Sequence, residues 1–275
     1  MSDTQTLARL SEIYRYPVKS TAARSLTRAL VSEEGLDGDR RYMLARPDGR
    51  FVTARTHPAL QRVIVEPVDG GLDLHHPEAG AIEARETRFA RESFTTAVWG
   101  DTFVAVTTET ALDAWFSEIL GEPVRLLWLG ATSPRYRESL QRRVSFADGY
   151  PLMLISQASL EALNARMDAP QRMIQFRPNL VVAGTAAHAE DAWARIRIGE
   201  VEFRVDTPCA RCKMITVDPT TGTFQARGEP LRTLAGYRRG ADGKILFGQN
   251  LIALNTGELI VGAPVEVLET RATSI

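Results

Sequence analysis

Cys209 and Cys212 are the only two cysteines of the 275-residue chain, and they share one short stretch, Pro208-Cys-Ala-Arg-Cys-Lys213. Arg211 and Lys213 put positive charge beside both sulfurs, the sign that stabilises a sulfur anion. Such a sulfur can act as a nucleophile, a redox thiol or a soft-metal ligand. A lone C-x-x-C lacks the second ligand pair of a structural zinc site. A thioredoxin-type motif needs a helix after the second cysteine, whereas Lys213 to Val217 reads as a strand. Spacing alone leaves working cysteines and merely packed cysteines equally open.

Other segments carry groups suited to an anion. Lys19-Ser20 follows the strand-like run that ends in Tyr16-Pro-Val18, and Arg40 follows the turn-forming Gly38-Asp39. Ser156-Gln157 falls where a strand turns into a helix, whose first N–H groups have no internal partner and suit a phosphate. Arg177 and Asn179 flank Pro178 in a turn-like stretch. Each taken singly is a solvated charge or a plain cap; together they are candidate anion contacts.

The elements that must position these residues are mostly strands. Leu10 to Val18, Arg41 to Arg46, Phe51 to Thr53, Val63 to Val68, Leu72 to His75, Ala81 to Arg85, Phe94 to Trp99 and Phe103 to Thr107 are short β-type runs parted by turn residues. Leu112, Trp115, Phe116, Ile119 and Leu120 form one apolar helical face, with Gly121 as its stop. After Val124 to Leu129 comes Ala131 to Arg143, basic and poor in apolar residues, which reads as a loop or linker. A boundary near 125/126 divides the chain into residues 1–125 and 126–275, with a single interlocked unit as the alternative. Pro151 to Ile155 is apolar throughout, as in a strand buried on both faces. Ser156 is a plausible N-cap for a helix with Leu160, Leu163 and Met167 on one face. Leu180 to Ala183, Ala194 to Ile198, Val201 to Val205, Lys213 to Val217, Leu246 to Phe247, Leu251 to Leu254 and Val265 to Leu268 read as strands. The sum is an α+β fold dominated by β, a barrel-like N-terminal part followed by a β-barrel with flanking helices.

Composition narrows the functions. A net charge of −1 argues against nucleic acid as the main partner. No run approaches the roughly 18 apolar residues of a membrane span, and Met1 to Arg9 lacks the apolar core of a signal peptide. Two cysteines point to free thiols in a reducing compartment, hence the cytoplasm, and are too few for a four-cysteine iron–sulfur cluster. Neither G-x-G-x-x-G nor the P-loop pattern occurs. The histidines show no H-x-x-x-H spacing, and His75-His76 reads as a solvated pair in a turn.

Taken in order, Tyr14-Arg-Tyr-Pro-Val-Lys-Ser20, Gly38-Asp-Arg-Arg-Tyr-Met-Leu44, Phe51-Val-Thr-Ala-Arg55, Phe146-Ala-Asp148, Leu154-Ile-Ser156, Phe176-Arg-Pro-Asn-Leu180, Pro208-Cys-Ala-Arg-Cys212, Val217-Asp-Pro219, Glu229-Pro-Leu231 and Phe247-Gly248 resemble the MOSC family with its N-terminal β-barrel partner. The branch it looks most like contains amidoxime-reducing components and bacterial reductases of N-hydroxylated bases. The resemblance implies a molybdenum cofactor, in which a pyranopterin dithiolene and a protein cysteine bind the metal. By motif position Cys209 matches the metal ligand, with Cys212 second. Lys19, Ser20, Arg40, Ser156, Gln157, Arg177 and Asn179 match positions that grip pterin and phosphate, and Arg211 is placed to touch cofactor or substrate. The implied activity is two-electron reduction of a small N-hydroxylated substrate; the alternative is a cofactor or persulfide carrier. Some bacterial relatives carry a C-terminal ferredoxin-like domain, but here Ile275 follows soon after the last strand. A separate ferredoxin- or flavoprotein-type electron donor is therefore expected.

Overall fold

The apolar run Pro151 to Ile155 has no polar face to give to water. In the computed structural model, which describes residues 7–273, it becomes the strand Leu152–Ser156, buried at every position. (The first six residues of the polar segment read above as lacking a signal peptide lie outside the described residues.) This strand pairs parallel with Leu180–Ala183 and antiparallel with Leu246–Ala253. A parallel neighbour demands a crossover, and helix α2 (Gln157–Asn164) lies within it. Ser156 caps α2 as expected: its side chain accepts the Ser159 N–H at 3.1 Å.

The main sheet has eight strands, in spatial order Arg24–Leu26, Arg9–Arg15, Leu180–Ala183, Leu152–Ser156, Leu246–Ala253, Val201–Ala210, Trp193–Ile198 and Val265–Thr270. It curls until its ends meet. Leu10 N–H donates to Ala263 O (2.9 Å), Gly262 N–H to Leu10 O (2.7 Å) and Val265 N–H to Ala8 O (2.9 Å). Leu10, Ile13, Leu154, Val182, Ile196, Phe203 and Leu251 fill the interior. At roughly 1.5–3 kcal/mol for each large apolar side chain buried, this interior is the main force holding the barrel. Two of its strands come from the N-terminal end of the chain, so residues 9–26 are built into a sheet otherwise made from 152–270.

A second body is formed by the sheet Tyr42–Ala45, Arg125–Trp128, Asp101–Thr107 and Ser93–Val98, a meander over residues 64–85, and helix α1 (Thr110–Leu120). Leu112, Trp115 and Phe116 of α1 are buried against Leu60, Val65 and Leu74. Gly121 ends the helix in the left-handed conformation (φ 68°) that glycine takes without steric cost. Among the described residues no helix is long and apolar enough to cross a membrane.

Four expectations need correction. Lys213–Thr216 is a 3₁₀ turn rather than a strand, because Ile215 must turn inward to join the buried Phe176 and Phe247. Leu246–Ala253 is one strand, not two pieces. The polar Gln249 between the two expected runs is fully buried, donating to Asp191 Oδ1 (2.7 Å) and accepting from Arg271 Nη2 (2.8 Å). His76 ends a strand and is buried, not solvated. The 131–143 segment is no simple linker: Arg135 is among the largest fully buried side chains of the protein. The short strands Arg24–Leu26, Arg28–Ser32, Gly35–Leu36 and Gly257–Ile260 carried too few residues for a periodic signal.

Candidate functional site

The strand Val201–Ala210 runs two residues past Pro208, farther than its alternating pattern indicated. Proline cannot donate to a ladder, and the register against Leu246–Ala253 slips on both sides of it. These irregularities turn Cys209 out of the regular pleat. Cys212 then caps the 3₁₀ turn Lys213–Thr216. The Cys–x–x–Cys stretch thus joins a strand end to a turn, and both half-buried thiols line one cavity of about 350 Å³. That lies within the ~300–1,000 Å³ range of cofactor and small-ligand sites.

Each sulfur faces its own guanidinium. Arg211 Nη1 donates to Cys209 Sγ (3.1 Å) and to Met153 Sδ (2.8 Å), while Nη2 holds Phe176 O (2.5 Å). Arg55 Nε donates to Cys212 Sγ (3.3 Å), and its Nη2 is bonded to Asp148 Oδ2. Asp148 closes a chain to Lys19, whose Nζ donates to Asp148 Oδ1 (2.5 Å) and Phe146 O (2.6 Å). Burial pushes Lys19 down to about 8 although Asp148 pulls it upward. Burial would raise the Asp148 carboxyl, but Lys19 and Arg55 outweigh it and hold the group well below the usual carboxylate range. Cys209 packs partly against an apolar cluster, whereas Cys212 faces the Arg55–Asp148–Lys19 chain.

On another part of the wall the guanidinium carbons of Arg40 and Arg177 lie 4.3 and 4.1 Å from the centre of the Tyr16 ring. Both arginines adopt positive φ (48° and 57°). Asn179 orients the first: its Oδ1 accepts from Arg40 Nη1 (3.0 Å) and Met153 N–H (3.3 Å), and its Nδ2 donates to Tyr14 O (3.2 Å). Arg177 is driven down to about 10, chiefly by burial. Its Nη2 and the Nε of Arg211 are buried with no acceptor in the protein. Arg15 Nε, Arg24 Nε and Arg142 Nε are likewise unpartnered elsewhere, but Arg177 and Arg211 line the cavity, where an anion would supply an acceptor.

Eight sequence candidates thus come together: Lys19, Ser20, Arg40, Arg177, Asn179, Cys209, Arg211 and Cys212 all line this cavity. Ser156 and Gln157 do not. The N-terminus of α2 does hold a carboxyl group, but it is the protein's own Glu190, whose Oε1 accepts from Ser156 N–H (3.0 Å) and Ser159 Oγ (2.7 Å). Gln157 instead reaches Glu12 Oε1 at 3.4 Å. Arg55, Asp148 and Met153 line the cavity without having been singled out. Arg55 and Asp148 lay inside quoted motif stretches, and a charge inside a motif was the only available signal.

Residues 7–123 match the MOSC N-terminal beta barrel domain and residues 141–266 match the MOSC domain. The chain is 33% identical over 278 residues to mitochondrial amidoxime-reducing component 1 of Danio rerio, covering 93% of this chain and 83% of that protein. The chain belongs to the MOSC family. Other MOSC relatives include mitochondrial amidoxime-reducing component 1 of Homo sapiens, 30% identical over 289 residues (96% of this chain, 84% of that one). Molybdenum cofactor sulfurase of Oryza sativa subsp. japonica is 31% identical over 282 residues, covering 92% of this chain but 33% of that protein. The MOSC residues present fit an anionic, sulfur-ligated cofactor, with two thiols under guanidinium groups and two buried N–H donors lacking an acceptor.

Proposed function

We propose that this MOSC protein is a molybdenum-cofactor-dependent reductase of small N-hydroxylated compounds, removing oxygen from nitrogen by two-electron reduction. The observation that carries the reading is the pair of thiols, each under its own arginine, opening on one cavity with unpartnered guanidinium donors. When bound, the cofactor would supply the two-electron redox chemistry. Cys209 is the sulfur ligand by motif position. The polar setting of Cys212 favours a second assignment, in which Cys212 is the ligand and Cys209 its neighbour. Arg177 and Arg211 would hold the cofactor's anionic groups, Asn179 would keep Arg40 turned toward them, and Lys19 and Ser20 complete that wall. The reaction takes up protons, and Lys19 Nζ, with its pKa near 8 and its hydrogen bond to Asp148, holds one close to working pH. Asp148 stays ionised and keeps Arg55 against Cys212.

Electrons would come from a separate ferredoxin- or flavoprotein-type donor, and no iron–sulfur cluster is expected in this chain. Its setting would be the cytoplasm, where two free thiols stay reduced. Resemblance to a molybdenum cofactor sulfurase supports the alternative, a cofactor or persulfide carrier.

The test is metal and pterin analysis of protein made in a cofactor-competent host, followed by amidoxime reduction with an artificial electron donor. Metal-loaded protein that reduces no amidoxime, hydroxylamine or N-hydroxylated base would refute the reductase. Protein isolated with persulfide and no molybdenum would establish the carrier. Cys209→Ser and Cys212→Ser, assayed for retained pterin alongside lost turnover, separate the two ligand assignments.

A further inference from the structure

The 3₁₀ turn Lys213–Thr216 is a wall of the cysteine cavity: Cys212, Met214 and Ile215 line the cavity, while Lys213 is exposed to solvent. The turn packs against Met173–Phe176 and the helix Leu231–Ala235. Gln225 N–H donates to Thr216 O (2.7 Å) and holds the hairpin Val217–Asp218/Thr223–Phe224 beside it. Leu163, Met173, Ile215 and Leu234 meet in the apolar cluster beneath, the one against which Cys209 packs.

The outside of this wall is basic. Residues 211–244 hold seven cations and three acids, a net +4 in a chain whose total is −1. Arg166, Arg172, Lys213, Arg227 and Arg239 are all exposed, and among the described residues none of them is ion-paired. Arg172 Nη1 reaches Thr220 Oγ1 (2.9 Å), and the Arg166 guanidinium lies 4.5 Å from the centre of the Tyr237 ring, so the cations form one continuous face. The nearby acids are mostly occupied: Asp218 accepts Thr220 N–H (2.8 Å), Glu229 is held by Arg232 and Asp242 by Lys244, which leaves Glu161 and Asp168. On the barrel strands Trp193–Ile198 and Val201–Ala210, by contrast, Arg195 and Arg197 are matched by Glu202, Glu266 and Glu269. Amid the basic face stands Phe224, 44% exposed, with Lys213 Nζ 5.4 Å from its ring centre.

We propose that this face docks an acidic, one-electron redox protein that delivers electrons to the cysteine cavity. The proposal rests on the reductase reading. Reducing one N–OH to N–H and water consumes two electrons and two protons, so a one-electron donor docks twice per turnover. Repeated visits need fast association and release, which uncancelled surface charge supplies better than a large apolar seal. An exposed aromatic ring among the cations gives the encounter an anchor.

The probe is an acidic two-iron ferredoxin, and its binding to protein from a cofactor-competent host is measured by calorimetry. It should bind at low salt and weaken severalfold as salt is raised from about 0.05 to about 0.3 M. Arg172→Glu/Arg227→Glu should weaken binding about tenfold and raise the KM for ferredoxin by the same factor, with turnover on a small reducing dye unchanged. Arg227→Glu alone should give about threefold. Arg9→Glu/Arg28→Glu makes the same change of charge beside Ala183 and Ile260, at the barrel end away from Asn179 and Cys209, and should change binding less than about twofold. No binding at low salt, an equal loss in both double variants, or a DNA duplex bound as tightly as the ferredoxin overturns the docking face. If the face variants alone weaken ferredoxin binding but neither ferredoxin nor dye supports reduction of any N-hydroxylated compound, the reductase reading fails and the docking face stands.

Discussion

Arg135→Met tests how the segment carrying Asp148 is held. The Arg135 side chain is 1% exposed and uses all of its guanidinium nitrogens. Nε and Nη2 donate to Asp101 Oδ2 at 2.9 and 2.7 Å. Nη1 donates to Ser145 O (3.0 Å) and to Ala147 O, and Nη2 reaches Asp148 O (3.0 Å). Methionine has similar length and no donors. It would strip three carbonyls of this partner and leave Asp101 with Arg137 alone. Each buried carbonyl left unsatisfied costs about 1–3 kcal/mol, and the lost ion pair adds less, because Asp101 is part-exposed and keeps Arg137. Methionine recovers part of this through burial, so a net loss of about 4 kcal/mol is expected. At roughly 2–4 °C per kcal/mol for a chain of this size, the melting temperature should fall by about 10 °C. Urea and thermal unfolding followed by circular dichroism measure the loss. The content of the proposed cofactor should fall too, because Asp148 and its hold on Lys19 and Arg55 depend on the same loop. Asp101→Asn combined with Arg135→Met should cost less than the two single losses added together. A melting temperature within about 2 °C of the parent would refute the claim that Arg135 organises this segment.

Three further outcomes are expected. Gly248→Ala would place a Cβ at φ 80°, 2.6 Å from Ile155 Cγ1 and 2.8 Å from Leu154 O; the strands must part, with a loss of roughly 2–4 kcal/mol in urea unfolding. Lys19 is depressed to about 8 in the fold and returns to its ordinary value when unfolded. The unfolded chain therefore binds more protons between about pH 8 and 10.5, so the parent should gain stability relative to Lys19→Met as pH rises through that window; a flat difference would sink the assignment. His188 is held down to about 4, chiefly by burial, so acidification from about pH 6.5 to 4 should destabilise the parent more than His188→Asn. Asparagine tolerates the positive φ of 61° at that position.

Much of this protein was legible in its residues. Helix α1 announced itself through five apolar residues on one face and a stop glycine, and Leu152–Ser156 through an unbroken apolar run. Periodicity and propensity are local properties, so the chain carries them openly. The Cys209–Cys212 motif, its neighbouring cations and many of the residues that line its cavity were visible for the same reason. Other features depended on distant partners. Lys213–Thr216 looked like a strand, whereas Ile215 turns inward to the cluster that holds Phe176 and Phe247, and Leu246–Ala253 looked like two runs until Asp191 and Arg271 satisfied the buried Gln249 between them.

The sequence by itself determined a β-dominated chain, two lone thiols in one short motif, and basic residues nearly balanced by acidic ones. Tertiary structure alone decided which of them meet. It sent Glu190 rather than a ligand to the N-terminus of α2, and it drew Arg55 and Asp148 to Cys212 from positions 157 and 64 residues away. It also put Arg135, in a stretch that reads as linker, at the centre of the support. The physical reason is common to all three. A charge leaves no periodic trace in sequence, and its energy is fixed only when folding removes water and supplies, or withholds, a partner.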